Sequence, residues 1–262
     1  MKGTEKLTKA NQSSEKLLTL MQILSEQSQP IRLQDLSRLA DMNVSTTLRF
    51  LATLQSCGYA AQELGTGHYF LTLKICTIAN NVLAHTDLCR VCDPYLRELA
   101  DEFGESANLS IEQDMRMVYI IVVNSRTQTL TTRQRIGNVA PMHCTGVGKL
   151  MLLNYTEEMI DQLITKRGLQ KFTDHTVVQK QQLMMLLEEV RRRGYACDNE
   201  ECELGLRCIA VPIYDHTQRI VAGISVTGPT IRMTDETIAA KLPMMQIAAD
   251  AISFRLGYTP SA

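Results

Sequence analysis

Residues 43–59, with the sequence NVSTTLRFLATLQSCGY, encode a short helix with two different faces. Asn43 is a suitable N-cap for this helix. At about 100° per residue, the polar side chains fall on one narrow stripe, made of Ser45, Thr46, Arg49, Thr53 and Ser56. The opposite, apolar face is expected to hold Leu48, Phe50, Leu51 and Leu54. Taken alone, the stretch also fits an ordinary amphipathic helix whose polar face meets water, so its flanks must decide its role.

The residues before this stretch predict two further helices. The first follows Ser13 and Ser14 and ends near Pro30; its apolar face is made of Leu17, Leu20, Met21 and Leu24. The second carries Leu33, Leu36 and Ala40 at helical spacing and breaks at residues 41–43. Two short helices joined by a tight turn form a helix-turn-helix, whose second helix lies in the major groove of DNA. Double-stranded DNA is therefore the predicted partner of the polar stripe.

A hairpin is predicted beyond the helix, because strand-like alternation flanks the Gly-Thr-Gly at residues 65–67. It would form a wing beside the recognition helix. Short hydroxyl side chains let a helix backbone approach phosphates, and an arginine can reach a phosphate or a guanine edge. The predicted contacts with a DNA operator are Arg32, Val44, Ser45, Thr46, Arg49, Thr53, Gly67 and His68. A solvated turn explains Gly67 and His68 about equally well.

Length and composition suit a chain of two domains. The 262 residues are 45% hydrophobic, which is enough for a substantial core. The net charge is −1, but residues 1–80 hold eight Lys/Arg against six Asp/Glu, and the rest hold 19 against 22. No apolar run approaches the ~20 residues of a membrane helix, and the start lacks a secretory signal, so a cytoplasmic protein is expected. The eight cysteines show no regular framework, and most are expected to be reduced and buried.

The remainder of the chain predicts an α+β domain, in which an antiparallel sheet is capped by helices. Helices are predicted at 72–84, 91–104, 146–154, 181–194 and 235–256. Strands are predicted at 106–113, 117–124, 129–137, 207–215 and 220–228. The predicted organisation is a flexible N-terminus (1–12), a winged helix-turn-helix domain (13–71), a linker helix (72–86) and a larger second domain (87–262).

Two stretches of the chain resemble the IclR family of bacterial transcriptional regulators. The helices, STTLRFLATLQSCGY and the hairpin are similar to the family's N-terminal domain, although Asp41 stands where glycine is frequent and Leu48 where tyrosine or histidine is frequent. Aspartate tolerates a positive φ better than most residues, so the bend is expected to survive. The second stretch, GYACDNEECELGLRCIAVPIYD at 194–215, matches the signature of the effector-binding domain at Gly194, Asp198, Glu201, Cys208, Ile209, Ala210, Ile213, Tyr214 and Asp215. The resemblance implies a winged helix-turn-helix joined to a GAF-like ligand domain, working as a homodimer or homotetramer.

The second domain also contains parts suited to a small anion. Residues 145–149, TGVGK, open a helix and expose the N–H groups of Gly146 and Val147, while Ser225 and Thr227 share one face of a strand. A plain capped helix and hydrogen bonds within the sheet explain these features about equally well. The resemblance implies effector contacts at Gly146, Val147, Asp198, Cys208, Ser225 and Thr227, with Thr129, Ala140 and Met142 as neighbours. Together they predict a repressor of a catabolic operon that binds a small carboxylate or sugar acid.

Two other functions stay open. An enzyme could use Cys208 or Cys144 with His143 and Asp198, but no GxSxG, HExxH, Walker or dinucleotide motif occurs, so no catalytic residue, metal or cofactor is predicted. A regulator that responds to thiol oxidation or to a metal could use Cys144, Cys197, Cys202 or Cys208. Lys149 is expected to be a solvated or paired charge at the surface.

Overall fold

The computed structural model describes residues 11–85, 87–125 and 134–260, and the chain divides between residues 86 and 87 into two compact units. The first unit holds the helix-turn-helix and the hairpin, and the second holds the sheet. Within the described residues, no helix combines the length and the apolar character needed to span a membrane.

The N-terminal unit contains three helices, a hairpin and a fourth helix. They are α1 (Gln12–Ser25), α2 (Leu33–Leu39), α3 (Val44–Ser56), β1 (Ala60–Gln62), β2 (Tyr69–Leu71) and α4 (Lys74–His85). The side chain of Asn11 caps α1 by accepting hydrogen bonds from the N–H groups of Ser13 and Ser14, so the helix begins just before the predicted serines. The core of this unit is formed mainly by Leu20, Leu24, Leu36, Leu51 and Leu54.

The turn between α2 and α3 forms without glycine, as predicted. Asp41 adopts a left-handed conformation with φ of 48°, which aspartate tolerates better than most residues. Asn43 then caps α3, because its side chain accepts a hydrogen bond of 2.8 Å from the N–H of Thr46. Local chemistry at two residues therefore sets where the recognition helix starts.

One residue of α3 lies on a different face from the predicted one. Leu48 was expected on the apolar face but is 45% exposed, and Thr47 is fully buried instead. The buried arc of α3 is centred on Thr47, Leu51 and Leu54. At about 100° per residue, Leu48 lies about 100° away from that centre. A leucine side chain therefore borders the polar stripe.

The C-terminal unit is an α+β domain built on a six-stranded antiparallel sheet with the order β5-β4-β3-β8-β7-β6. Its elements are α5 (Leu88–Phe103), β3 (Ser106–Gln113), β4 (Arg116–Val123), β5 (Val139–Ala140), α6 (Gly146–Leu152), α7 (Glu157–Arg167), α8 (Lys180–Arg193), β6 (Ala196–Asn199), β7 (Leu206–Tyr214), β8 (Ile220–Pro229) and α9 (Asp235–Arg255). Helix α7 and strand β6 were not predicted. Most of the strand predicted at 129–137 lies outside the described residues, and residues 134–137 of that segment, which are described, form no strand.

Helices cover both faces of this sheet. Alternate residues of a strand point to opposite faces, so Ile209 and Val211 pack with α5 and α9, whereas Ala210 packs with α6 and its neighbours. All seven residues of α6 are buried. Gly223 allows this close approach, because a Cβ there would lie 2.6 Å from Cγ1 of Val147. The start of α6 is thereby held against the sheet.

Candidate functional sites

The polar stripe of α3 faces outward. Ser45, Arg49 and Thr53 are exposed, and Thr46 is half-buried. The hydroxyl of Ser45 donates to the side-chain oxygen of Asn43 at 2.9 Å, and the hydroxyl of Thr53 donates to the carbonyl of Arg49 at 3.1 Å. The guanidinium of Arg49 makes no hydrogen bond or ion pair within the described part of the chain. This helix therefore presents one uncommitted cation among short polar side chains.

Most of the remaining predicted DNA contacts lie at or near the wing. Ile31 pairs with Tyr69 through two backbone hydrogen bonds of 2.9 and 2.8 Å, which fix the wing next to the start of α2. Nε of Arg32 lies 3.3 Å from Nε2 of His68, which accepts if the imidazole proton is on Nδ1. Gly67 is exposed with φ of 69°, a conformation that favours glycine. Val44, in the first turn of α3, is also exposed.

A cavity of about 170 Å³ in the C-terminal unit brings together most of the predicted effector contacts. Its lining includes Ala140, Gly146, Val147, Asp198, Cys208, Ser225 and Thr227. Met142 does not line it; this residue is buried and borders a neighbouring cavity instead. Thr129 lies outside the described residues.

Strand register explains why these polar residues meet. Asp198 on β6 is opposite Cys208 on β7, and Cys208 is opposite Thr227 on β8. Thr227 is in turn opposite Ser106 on β3, so a row of polar residues crosses four strands on one face. Ser225, two residues before Thr227, shares that face and is opposite Asn108.

Strand β3 supplies polar groups that the sequence reasoning did not single out. Asn108 and Ser110 are buried, and Oδ1 of Asn108 and Oγ of Ser110 have no hydrogen-bond partner among the described residues. Ser110 lines the cavity, as do Tyr119 and Gln134. The amide of Asn108 donates to Oε1 of Gln134 at 3.1 Å. A signal was present, because Ser106, Asn108 and Ser110 alternate along the strand.

The cavity is lined by acidic and neutral groups. Burial raises the pKa of Asp198, although Oδ1 of this carboxyl accepts hydrogen bonds from the N–H groups of Glu201 and Cys202 at 2.8 and 3.3 Å. Burial also raises the pKa of Cys208 to about 12. Among the described residues, no lysine or arginine lines the cavity. A bound carboxylate would therefore depend on hydroxyl and N–H donors.

The predicted position of Lys149 was wrong. This side chain is fully buried rather than at the surface. Its Nζ forms an ion pair with Oε1 of Glu201 and donates to the carbonyl of Cys197 at 2.7 Å. Lys149 thus joins α6 to the loop after β6 and does not line the cavity.

The cysteines are less buried than predicted, and two are in contact. All eight are free; three are buried, three are half-buried, and Cys57 and Cys76 are exposed. Sγ of Cys202 lies 3.3 Å from Sγ of Cys144. The described parts of the chain contain no group of three or more potential metal ligands, so Cys89 and Cys92 do not belong to such a group.

Comparison with known proteins agrees with both halves of this description. The model of the IclR helix-turn-helix domain matches residues 13–64, and that of the bacterial transcriptional regulator IclR C-terminal domain matches residues 80–254. KdgR of Escherichia coli is 35% identical over 93% of this chain and 92% of its own. The acetate operon repressor of Salmonella typhimurium is 32% identical over 98% of this chain and 94% of its own. A crystal structure described as a regulator of this family, from a Silicibacter species, covers 96% of this chain and 98% of its own with a TM-score of 0.79 and 25% identity.

A winged helix-turn-helix with an outward polar stripe, carried on the same chain as a sheet domain with a polar cavity, defines a DNA-binding transcriptional regulator. The two family matches together span most of the sequence. The chain belongs to the IclR family of bacterial transcriptional regulators. Its relatives are transcriptional regulators rather than enzymes.

Proposed function

We propose that this protein represses a catabolic operon and that a small hydroxylated carboxylate, such as a sugar acid, controls its DNA binding. The observation that carries the proposal is the cavity in the C-terminal unit. Its lining includes Ser225, Thr227 and Ser110, and the hydroxyl of Ser110 is buried without a partner among the described residues. Buried polar atoms without partners are costly, and a ligand hydroxyl would satisfy them. The repressor role follows the name of the acetate operon repressor, one of the relatives.

The size and charge of the cavity favour a small ligand rich in hydroxyls. A volume of about 170 Å³ lies below the range of roughly 300–1,000 Å³ that is usual for ligand pockets, so the ligand is small. Because acidic Asp198 and Glu203 are in the lining and no described lining residue is a lysine or arginine, a ligand carrying only negative charge would be poorly matched. Hydroxyls can both donate to Asp198 and accept from Ser225, and one carboxylate could accept from the hydroxyl of Thr227 and from the N–H of Val147 at the start of α6.

Two copies of the chain would bind a pseudo-palindromic operator, with recognition helices about one helical turn or a multiple of it apart. Helix α4 supports this part of the proposal, because Leu73 just before it and Ile78 and Val82 within it are exposed apolar residues. Exposed apolar side chains at this spacing suit a helix that packs against a second copy.

Replacing Arg49 by alanine is expected to weaken operator binding about 5- to 150-fold and to reduce the salt slope by about one. The reason is the loss of an uncommitted cation from the exposed face of α3. Fluorescence anisotropy with a duplex selected from a random library by the wild-type protein measures both quantities over a salt series. Arg97→Ala is the matched control, since it removes the same charge from an exposed ion pair in the other unit. Equal weakening in both variants would contradict the role of α3.

Changing Ser225 to alanine and Thr227 to valine together is expected to abolish the effector response while DNA affinity stays unchanged. The double change removes two hydroxyls from the polar face of the sheet and keeps the side-chain volumes similar. The probes are D-gluconate, its alditol D-glucitol, which lacks the carboxylate, and butanoate, which lacks the hydroxyls. Thermal shift and release of the duplex should be largest with the sugar acid. A response that persists in the double variant would mean that the effector binds elsewhere.

A further inference from the structure

Two thiols meet at the edge of the cavity. Sγ of Cys202 is 3.3 Å from Sγ of Cys144 and 3.2 Å from the carbonyl oxygen of Cys144. Cys144 is fully buried just before α6, and Cys202 is half-buried in the loop between β6 and β7. A disulfide bond is about 2.05 Å long, so the sulfurs need to approach by only about 1.3 Å. We propose that Cys144 and Cys202 are a site of reversible oxidation and form a disulfide in the cavity wall.

The side chain of Cys202 is the one that an oxidant can reach. It lines the cavity, whereas Cys144 does not. The oxidant is a hydroperoxide, which is small enough to enter. As the sulfur of Cys202 attacks one peroxide oxygen, its thiol proton passes to the sulfur of Cys144. The O–O bond breaks, and the leaving oxygen takes a proton from solvent and departs as an alcohol or water. Cys202 is then a sulfenic acid.

The second step closes the disulfide. The sulfur of Cys144 attacks the sulfur of Cys202, the S–O bond breaks, and the departing oxygen leaves as water with the proton of Cys144. The two sulfurs together lose two electrons, and the two peroxide oxygens gain them. A dithiol reductant reverses the step by thiol–disulfide exchange.

The acidity of the pair suits this chemistry. The hydrogen bond from the thiol of Cys202 lowers the pKa of Cys144 to about 6, despite burial, and His143 acts in the same direction. The same hydrogen bond raises the pKa of Cys202. Cys144 therefore carries the negative charge of the resting pair, and the hydrogen bond gives the thiol proton of Cys202 a path to Cys144 when Cys202 reacts. Cys197 and Cys208 differ from Cys144, because burial raises the pKa of both.

The disulfide would tie two walls of the cavity together. Cys144 directly precedes Thr145, which lines the cavity, and the N–H of Cys202 donates to the carboxyl of Asp198 at 3.3 Å. Oxidation would fix this loop against the start of α6. A change in effector affinity on oxidation rests on the proposed function. Formation of the disulfide does not depend on that function.

Peptide mapping of the full chain tests the site without DNA or effector. The protein is treated with hydrogen peroxide, free thiols are alkylated, and the digest is analysed by mass spectrometry with and without dithiothreitol. The expected result is loss of alkylation at Cys144 and Cys202 together and a linked peptide that dithiothreitol removes. The matched control, Cys197→Ser, should leave this peptide unchanged, whereas Cys202→Ala should remove it.

Exposed Cys57 and Cys76 report within the same sample that the oxidant was active. If these two thiols are oxidised while Cys144 and Cys202 are still alkylated, the proposal is overturned. A disulfide from Cys202 to Cys197, or a sulfonic acid at Cys202 beside an alkylated Cys144, overturns it as well. The wild-type map decides the matter even if a substituted protein fails to fold.

Discussion

Replacing Lys149 by methionine is expected to cost the C-terminal unit about 3–5 kcal/mol of folding free energy, because the change leaves a buried carboxylate without its cation. Nζ of Lys149 is fully buried, pairs with Glu201 and donates to the carbonyl of Cys197. Burial raises the pKa of Glu201 even with the ammonium group present. Oε2 of the same carboxylate has no hydrogen-bond partner among the described residues.

The free energy of unfolding of the C-terminal unit is measured by urea titration, with hydrogen exchange in peptides from β7 and β8 as the probe of unfolding. Lys180→Met is the matched control: Lys180 pairs with Glu157 and Asp161 near the surface, and its loss should cost less than about 1 kcal/mol. The double change Lys149→Met with Glu201→Leu should recover most of the stability, because replacing both members of a buried pair is often neutral. A single Lys149 variant as stable as the Lys180 variant would contradict the argument.

Features set by near neighbours could be predicted from the sequence. The cap at Asn43 and the left-handed turn at Asp41 depend on residues within four positions, and both are as expected. The shared face of Ser225 and Thr227 follows from the period of a strand. Leu48 was misplaced because the centre of the buried arc of α3 depends on how α1 and α2 pack against it, which the pattern of one helix does not contain.

Features set by the meeting of distant segments could not be predicted. Cys144 and Cys202 are 58 positions apart, and Lys149 and Glu201 are 52 apart. Both contacts arise because α6 packs against the hairpin of β6 and β7. Similarly, Asn108 and Ser110 join the polar face only through the pairing of β3 with β8. The family resemblance supplied positions for the effector contacts, but the unpartnered polar atoms on β3 needed the structure.

Replacing Gly148 by alanine is expected to cost about 3 kcal/mol of stability and to abolish the effector response, although Gly148 does not line the cavity. A Cβ at this position would lie 2.3 Å from the carbonyl oxygen of Met142 and 2.3 Å from Oγ1 of Thr145. The hydroxyl of Thr145 accepts a hydrogen bond of 3.2 Å from the N–H of Gly148, so the clash also breaks the cap of α6, worth about 1 kcal/mol.

The comparison with Gly146→Ala separates this clash from the general effect of adding a methyl group. Alanine is favoured over glycine in a helix by about 1 kcal/mol at either position. At Gly146 the nearest atom to a new Cβ is the Cβ of Ala210 at 3.0 Å, so the strand needs to shift by only a few tenths of an ångström, and this variant should lose less than about 1 kcal/mol. Thermal unfolding with and without D-gluconate measures both variants. If Gly148→Ala were as stable as Gly146→Ala, the backbone at Met142 would be free to move, and α6 would not hold the cavity wall in place.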